Sequence, residues 1–257
     1  MITTTLLGSN LPVMQSQLLM QEAGIVHFCT LRGGNESPYS HINMCDYTGD
    51  DPEHVASSRQ MFADCLGISA DRMWFPRQVH GTKVLSVDSS LPAGLEADAV
   101  ITTERHLLIG VSTADCVPVL LFDRRNSVIA AVHAGWRGTI GHIVERTLEK
   151  MMLDYDSSPE DILATIGPSI SPEAFEVGDE VAGQFDNDGY SDCISHIYPK
   201  PHIDLWKVNT HQLLTAGIKA QNIDCSPICT CQNSEILFSA RRLGIKSGRM
   251  TSGIMLK

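Results

Sequence analysis

No C-x-x-C pair occurs among the eight cysteines, so neither a zinc ribbon nor a thioredoxin-type redox pair is indicated. Positive charge is also scarce: 19 lysines and arginines stand against 30 aspartates and glutamates, a formal net charge of −11. Non-specific nucleic-acid binding needs a basic surface that neutralises phosphates, so nucleic-acid partners are set aside, while a local basic pocket for one phosphate stays open. No apolar run approaches the length of a membrane span, and the opening MITTTLLGSNLPVMQS has no basic start and is broken by Gly8, Asn10 and Pro12. The expectation is a soluble, cytoplasmic protein with no membrane partner. Repeats, low-complexity tracts and dividing linkers are missing too. The one cysteine cluster, Cys225-x3-Cys229-x-Cys231, reads as a strand edge with small buried thiols. Residues 186–191 (DNDGYS) lack the later glutamate of a calcium loop and read as a turn.

What is present is material for one large core: 257 residues, 43% of them hydrophobic. Residues 1–24 are weakly patterned and read as a peripheral segment. Strands are expected over 24–31, 83–87, 99–103, 107–113, 163–166, 223–228, 235–239 and 250–255, with a tight turn at Arg32-Gly33-Gly34-Asn35. Asp50-Asp51-Pro52-Glu53 starts a helix that buries Val55, Phe62 and Leu66 and stops at Gly67. Ile140, Ile143, Val144, Thr147, Leu148, Met151 and Met152 keep helical spacing and predict one amphipathic helix, with His142 and Glu145 on its wet face. Two more helices are expected, from Ser171-Pro172-Glu173 to about Phe185 and from Asp204 to about Ala216. Strands and helices do not alternate strictly, so the fold class is α+β.

The most informative stretch is Ala97 to Gly138. Residues 117–122 (VPVLLF) and 128–132 (VIAAV) flank a polar turn and predict a β-hairpin. A turn centred between Arg124 and Arg125 sets Cys116 opposite His133, with Cβ atoms about 4.5–5.5 Å apart. A one-residue slip would put them on opposite faces. A thiol and an imidazole that close suggest a metal site or a nucleophile–base dyad. Two imidazoles and a thiolate are a ligand set for catalytic zinc with a fourth position open, but spacing alone does not select a second histidine among the ten present. Asp98 and Asp115 beside this stretch read either as partners that orient an imidazole or as turn caps. Arg137, in Gly135-Trp136-Arg137-Gly138 at a helix start, suits a phosphate or other anion, and Arg241-Arg242 can contribute likewise. Trp136 reads equally as a stacking platform for a base and as core packing.

RQVHGTKV, EADAVIT, STADCVPVLLFD, AAVHAGWRG, IGPSISPEAFEVGDEV and FSARR…GRM, in this order from about Ile25 to the C-terminus, resemble the YfiH/laccase-domain family, long labelled polyphenol oxidoreductase. The resemblance implies a single catalytic domain over residues 25–257 with an α/β/β/α-layered fold of mixed sheets. It implies a zinc-dependent purine nucleoside phosphorylase acting on adenosine, inosine, guanosine and methylthioadenosine with phosphate, and an adenosine deaminase activity for which zinc lowers the pKa of water towards about 7. Its metal-binding and catalytic positions carry over onto His80, Cys116 and His133, which supplies the histidine that spacing did not select. Arg32, Gln78, Arg137 and Arg241 are the expected substrate and phosphate contacts. Two positions depart from the family: Ala240 stands where a tyrosine is usual, and Tyr47 where a histidine is often found. A cysteine hydrolase or amidase editing cell-wall precursors, with Cys116 as nucleophile and His133 as base, is the runner-up. Copper oxidation of phenols ranks lower, because these ligands support one metal, and a zinc-stabilised protein-binding module is the non-enzymatic alternative.

Overall fold

Apolar runs without polar alternation, such as those of the central hairpin, belong to strands covered on both faces, and the structure shows two sheets stacked with helices outside. It is a computed structural model that describes residues 1–34, 37–92 and 94–257. Asn35, the end of the expected turn at Arg32, lies outside the described residues. The strands are β1 (Ile2–Thr5), β2 (Pro12–Gln15), β3 (Ile25–Thr30), β4 (Met73–Trp74), β5 (Val84–Ser86), β6 (Ala99–Thr102) and β7 (Leu108–Thr113). They continue with β8 (Val117–Asp123), β9 (Val128–Ala134), β10 (Ile162–Ile166), β11 (Ile194–Ser195), β12 (His202–Ile203), β13 (Ile223–Cys225) and β14 (Met250–Leu256). The helices are α1 (Pro52–Leu66), α2 (Trp136–Ile140), α3 (Ile143–Tyr155), α4 (Asp179–Asn187), α5 (Leu205–Thr215) and α6 (Ala240–Leu243).

The first sheet runs β1-β2-β3-β14-β7-β4 and the second β13-β10-β8-β9-β6-β5, each mixing parallel and antiparallel pairs. Side chains alternate along the hairpin: Val119, Leu121, Ala130 and Val132 face α3 and α5, whereas Leu120, Phe122, Ile129 and Ala131 face the first sheet. The first sheet's other side packs on α1 through Phe28, Phe62 and Leu66. The order of layers is therefore α/β/β/α in one domain. Residues 1–24 supply β1 and β2 at the edge of the first sheet, with Leu6, Val13, Met14 and Leu19 buried. Helix α1 starts at the Asp51 cap, with Pro52 in its first turn, and ends at a left-handed Gly67.

Five expectations are corrected. The hairpin register is offset by two residues: Pro118, not Cys116, faces His133. Asp123 is the cause, because its buried carboxylate accepts the Arg125 and Asn126 N–H groups at 2.8 and 3.1 Å and moves the turn forward. An even offset preserves the face, so Cys116 and His133 stay on the side towards the first sheet. The helix expected from Ile140 is broken into α2 and α3 at Gly141, where an added Cβ would meet Thr82 Cγ2 at 2.3 Å, and at His142, with φ +59°. The apolar stripe hides that break because Ile143, Val144, Leu148 and Met151 are buried along one face. His142 is half-buried rather than solvated, between Glu145 at 2.7 Å and Asp188 at 3.0 Å.

The expected helix at Ser171 makes a single turn, since Glu176 is drawn into an antiparallel bridge with His202, and α4 starts only after Gly178. Residues 235–239 are not a strand: the Ile236 and Leu237 N–H groups turn back to Asn233 O, and Leu237 and Phe238 plug a core cluster.

Candidate metal centre and its cavity

Asp98, fully buried one residue before β6, organises the site. Its Oδ1 faces His133 Nδ1 at 2.8 Å and accepts the His80 N–H at 2.9 Å. Its Oδ2 accepts the N–H groups of Gly81 at 2.7 Å and Val79 at 3.3 Å. One carboxylate thus holds the histidine on β9 and wraps the 79–81 loop around itself, fixing His80 at φ +58°. Of the two aspartates weighed as imidazole partners, Asp98 has that role. Asp115 instead accepts from Thr230 Oγ1 and from the Arg241 N–H, both at 2.7 Å, and so pins the start of α6.

A carboxylate on Nδ1 keeps the proton there and leaves the His133 Nε2 lone pair for a metal. The donor atoms of His80, Cys116 and His133 lie within 4.8 Å of one another, with His80 Nε2 3.9 Å from Cys116 Sγ. Tetrahedral zinc, with bonds of about 2.0–2.1 Å to nitrogen and about 2.3 Å to sulfur, needs these donors roughly 3.5 Å apart, so the His80–Cys116 pair is within a few tenths of an ångström of that spacing and the whole set closes on a metal by side-chain movements of about 1 Å or less. Gly135 completes the cradle: a Cβ there would lie 3.1 Å from Cys116 Sγ, 3.1 Å from His80 Cδ2 and 3.7 Å from His133 Cε1. Burial opposes the Cys116 thiolate, but His133 and His80 outweigh it and draw the thiol down to about 6. Burial likewise opposes charge on His133, yet Cys116 and Asp98 raise it to about 9. The site is thus electrostatically set for a thiolate, the form that binds a metal.

A second grouping, Asp192, Cys193 and His211, lacks that character. Burial and the Asp192 carboxylate push the Cys193 thiol up to about 12, and the Lys207 ammonium already occupies Asp192 at 2.7 Å.

The triad opens onto a cavity of about 340 Å³ at the end of the inter-sheet layer. Of the four residues expected to contact substrate, Gln78 and Arg241 border it. Gln78 mimics a strand partner, donating to Ser112 O at 2.8 Å and accepting from Ser112 N–H at 2.7 Å, which ties the His80 loop to β7. Arg32 and Arg137 are not brought there. Arg32 donates to Ser234 O at 2.6 Å, and the exposed Arg137 stacks on Trp136 at 4.3 Å.

Sequence reasoning did not single out Arg249, Ile170 or Phe175, which also border the cavity. Each nonetheless lies in a string of the family resemblance, Arg249 in GRM at the start of β14 and Ile170 and Phe175 in IGPSISPEAFEVGDEV. Arg249 donates to the carbonyls of Ile245, Ser247 and Gly248, and Arg241 to those of Ala174 and Glu176. Among the described residues neither guanidinium has a carboxylate within 4.0 Å, so two arginines outside any close ion pair line the cavity together with the metal donors. Ala240 and Tyr47, the two departures from the family pattern, line the same cavity.

Residues 26–257 match the family model described as multi-copper polyphenol oxidoreductase laccase. A purine nucleoside phosphorylase of Bacteroides thetaiotaomicron is 40% identical over 253 residues, 93% of this chain and 94% of that one. An adenosine deaminase from an unknown prokaryotic organism is 39% identical, covering 91% of this chain and 95% of its own. The crystal structure of the Bacillus licheniformis hypothetical protein YfiH superposes with a TM-score of 0.90 at 29% identity, over 98% of both chains. No helix among the described residues is long and apolar enough to cross a membrane.

Proposed function

The chain belongs to the multi-copper polyphenol oxidoreductase laccase family, and from that premise we propose that it is a zinc-dependent purine nucleoside phosphorylase with a secondary adenosine deaminase activity. The observation that carries the reading is the juxtaposition of a three-donor His80–Cys116–His133 cluster with two guanidinium groups outside any close ion pair on one cavity. His80, Cys116 and His133 would hold the zinc, which when bound supplies Lewis acidity to an oxygen of substrate or water. Three protein donors define one metal, which favours zinc over the several coppers of a laccase. Arg241 and Arg249 hold the phosphate, each through a planar fork that its backbone-carbonyl contacts orient. A phosphate oxygen bonds to ribose C1′, the bond from C1′ to the base breaks, and the electron pair leaves with the purine. Ile170 and Phe175 give the cavity an apolar wall that limits competing water. Asp98 holds the proton on His133 Nδ1 throughout.

The test measures metal content and phosphate-dependent release of hypoxanthine from inosine together, in zinc-loaded wild type and Cys116→Ala. Loss of both in the variant is expected. Absence of release by the zinc-loaded wild type overturns the reading. Loss of turnover with metal retained would instead make Cys116 the nucleophile of the hydrolase reading, which its thiolate character favours.

A further inference from the structure

A second cavity, of about 200 Å³, adjoins the metal-site cavity and shares Tyr47 and Ser112 with it as walls. Its floor is apolar, made by Met44, Met73 and Phe75, and its mouth carries Arg77 and Asp46. The dividing wall is built, not floppy. Asn43, fully buried, donates to Cys45 O, Thr48 Oγ1 and Asp50 Oδ2 and accepts the N–H groups of Cys45 and Arg249. The loop bearing Tyr47 is therefore pinned to the segment bearing Arg249, while the Tyr47 side chain stays 46% exposed to whatever enters.

A nucleoside placed with its ribose at the metal donors and phosphate at Arg241 and Arg249 has an adjoining cavity beyond Tyr47 and Ser112 into which its base can extend. We propose that the cavity behind Tyr47 is the purine subsite, and that Arg77 and Asp46 at its mouth make it prefer 6-oxopurines to 6-aminopurines. This rests on the phosphorylase reading for the identity of the ligand. A flat base fits between an aromatic wall and a floor of Met and Phe, where every π-face can be used. Discrimination comes from the edge of the ring. A 6-oxopurine presents the O6 and N7 acceptors that match an arginine fork, and an N1–H that a carboxylate can accept. Adenine presents an amino donor at position 6 and has no N1–H, so the guanidinium would face a donor and lose its pair. Both groups are available: the Arg77–Glu96 contact is 3.4 Å long and exposed, and Asp46 gives one oxygen to Arg59 at 3.0 Å.

Equilibrium dialysis of inosine and of adenosine against the zinc-loaded protein, without phosphate, tests this alongside steady-state kinetics. Wild type is expected to bind inosine about tenfold more tightly than adenosine, and Arg77→Gln to bring the two within about threefold. Tyr47→Ala should weaken both about tenfold and raise the inosine KM by the same factor with the phosphate KM unmoved, while Tyr47→Phe keeps wild-type binding. Tyr47 and Arg77 are both surface-accessible, so these variants are expected to fold. Unchanged inosine binding and KM in Tyr47→Ala and Arg77→Gln overturn the subsite alone, leaving phosphorolysis standing. Inosine binding that these variants weaken, with no hypoxanthine released by wild type on adding phosphate, overturns phosphorolysis and leaves the subsite. A wild type that binds no inosine overturns both.

Discussion

The two sheets serve the same cavity by different means. The second sheet supplies the metal donors from a compact stretch: Cys116 leads into β8, His133 sits on β9, and Asp98, next to β6, carries His80 with it. The first sheet supplies Ser112 from β7 and Arg249 from the approach to β14, and Asn43 reaches 206 residues along the chain to join Arg249 to the Tyr47 loop. Donors that must meet within a few tenths of an ångström come from paired strands and one buried carboxylate. Groups that contact a variable substrate come from loops pinned at single points.

The largest effect expected from breaking this division is at Asp98. Asp98→Ala strips His133 of its partner and leaves the Val79, His80 and Gly81 N–H groups without an acceptor. Metal affinity should fall by about 10–100-fold, and stability by roughly 3–5 kcal/mol, the cost of removing one partner from a buried charged network. Chelator competition and urea unfolding read the two losses. Affinity within about twofold of wild type would remove Asp98 from the organisation of the site.

How much of this was legible follows the same division. The Cys116–His133 face survived a wrong register because the turn moved by an even number of residues, and strand periodicity depends only on parity. Capping chemistry placed α1 and α5, since Asp51 and Asp204 accept N–H groups of their own first turns. Longer-range events were not legible. Nothing local to Ser171-Pro172-Glu173 announces that Glu176 will pair with His202. The apolar string at Leu237 and Phe238 reads as a strand until the core cluster it plugs is known. In the site, His80 came only from family resemblance and Arg249 was overlooked, because their partners are distant in sequence: Asp98 lies 18 residues from His80, and Asn43 lies 206 from Arg249.

The first sheet has a pH dependence of its own. His27 on β3 is buried, and burial lowers its pKa to about 4 although Asp224 pulls the other way. Its Nε2 accepts the Ser16 N–H at 2.9 Å, a bond that only the neutral ring can make. The unfolded chain takes up this proton near pH 6.5 and the folded chain near 4, so stability is full above 6.5 and is lost as pH falls towards 4. Between pH 7 and pH 5 this one group should cost about 2 kcal/mol. Urea midpoints of zinc-free wild type and His27→Gln, compared across that range, isolate the contribution. Parallel pH curves would assign the acid sensitivity elsewhere.

A smaller effect is expected at Gly135, on the second sheet's side. Its φ of −65° is accessible to alanine, so Gly135→Ala should fold with a stability change under about 1 kcal/mol. The new Cβ, 3.1 Å from both Cys116 Sγ and His80 Cδ2, presses on two donors at once and should weaken zinc binding by about tenfold. Unaltered affinity would mean that the donors have slack the strands do not impose.

The smallest effect separates charge from shape on the loop side. Arg241 and Arg249 each hold the guanidinium on backbone carbonyls and line the cavity. Lysine keeps the cation but cannot bond carbonyl and phosphate through one rigid plane. Arg241→Lys and Arg249→Lys should therefore each raise the phosphate KM by about threefold with kcat little changed, the signature of lost ground-state binding. Arg137→Lys is the control that discriminates. Arg137 stacks on Trp136 outside the cavity lining, so its replacement should leave the phosphate KM alone. If Arg137→Lys moves that KM and the other two do not, the phosphate belongs at the start of α2, beside the second sheet, and recognition and metal binding share one sheet after all.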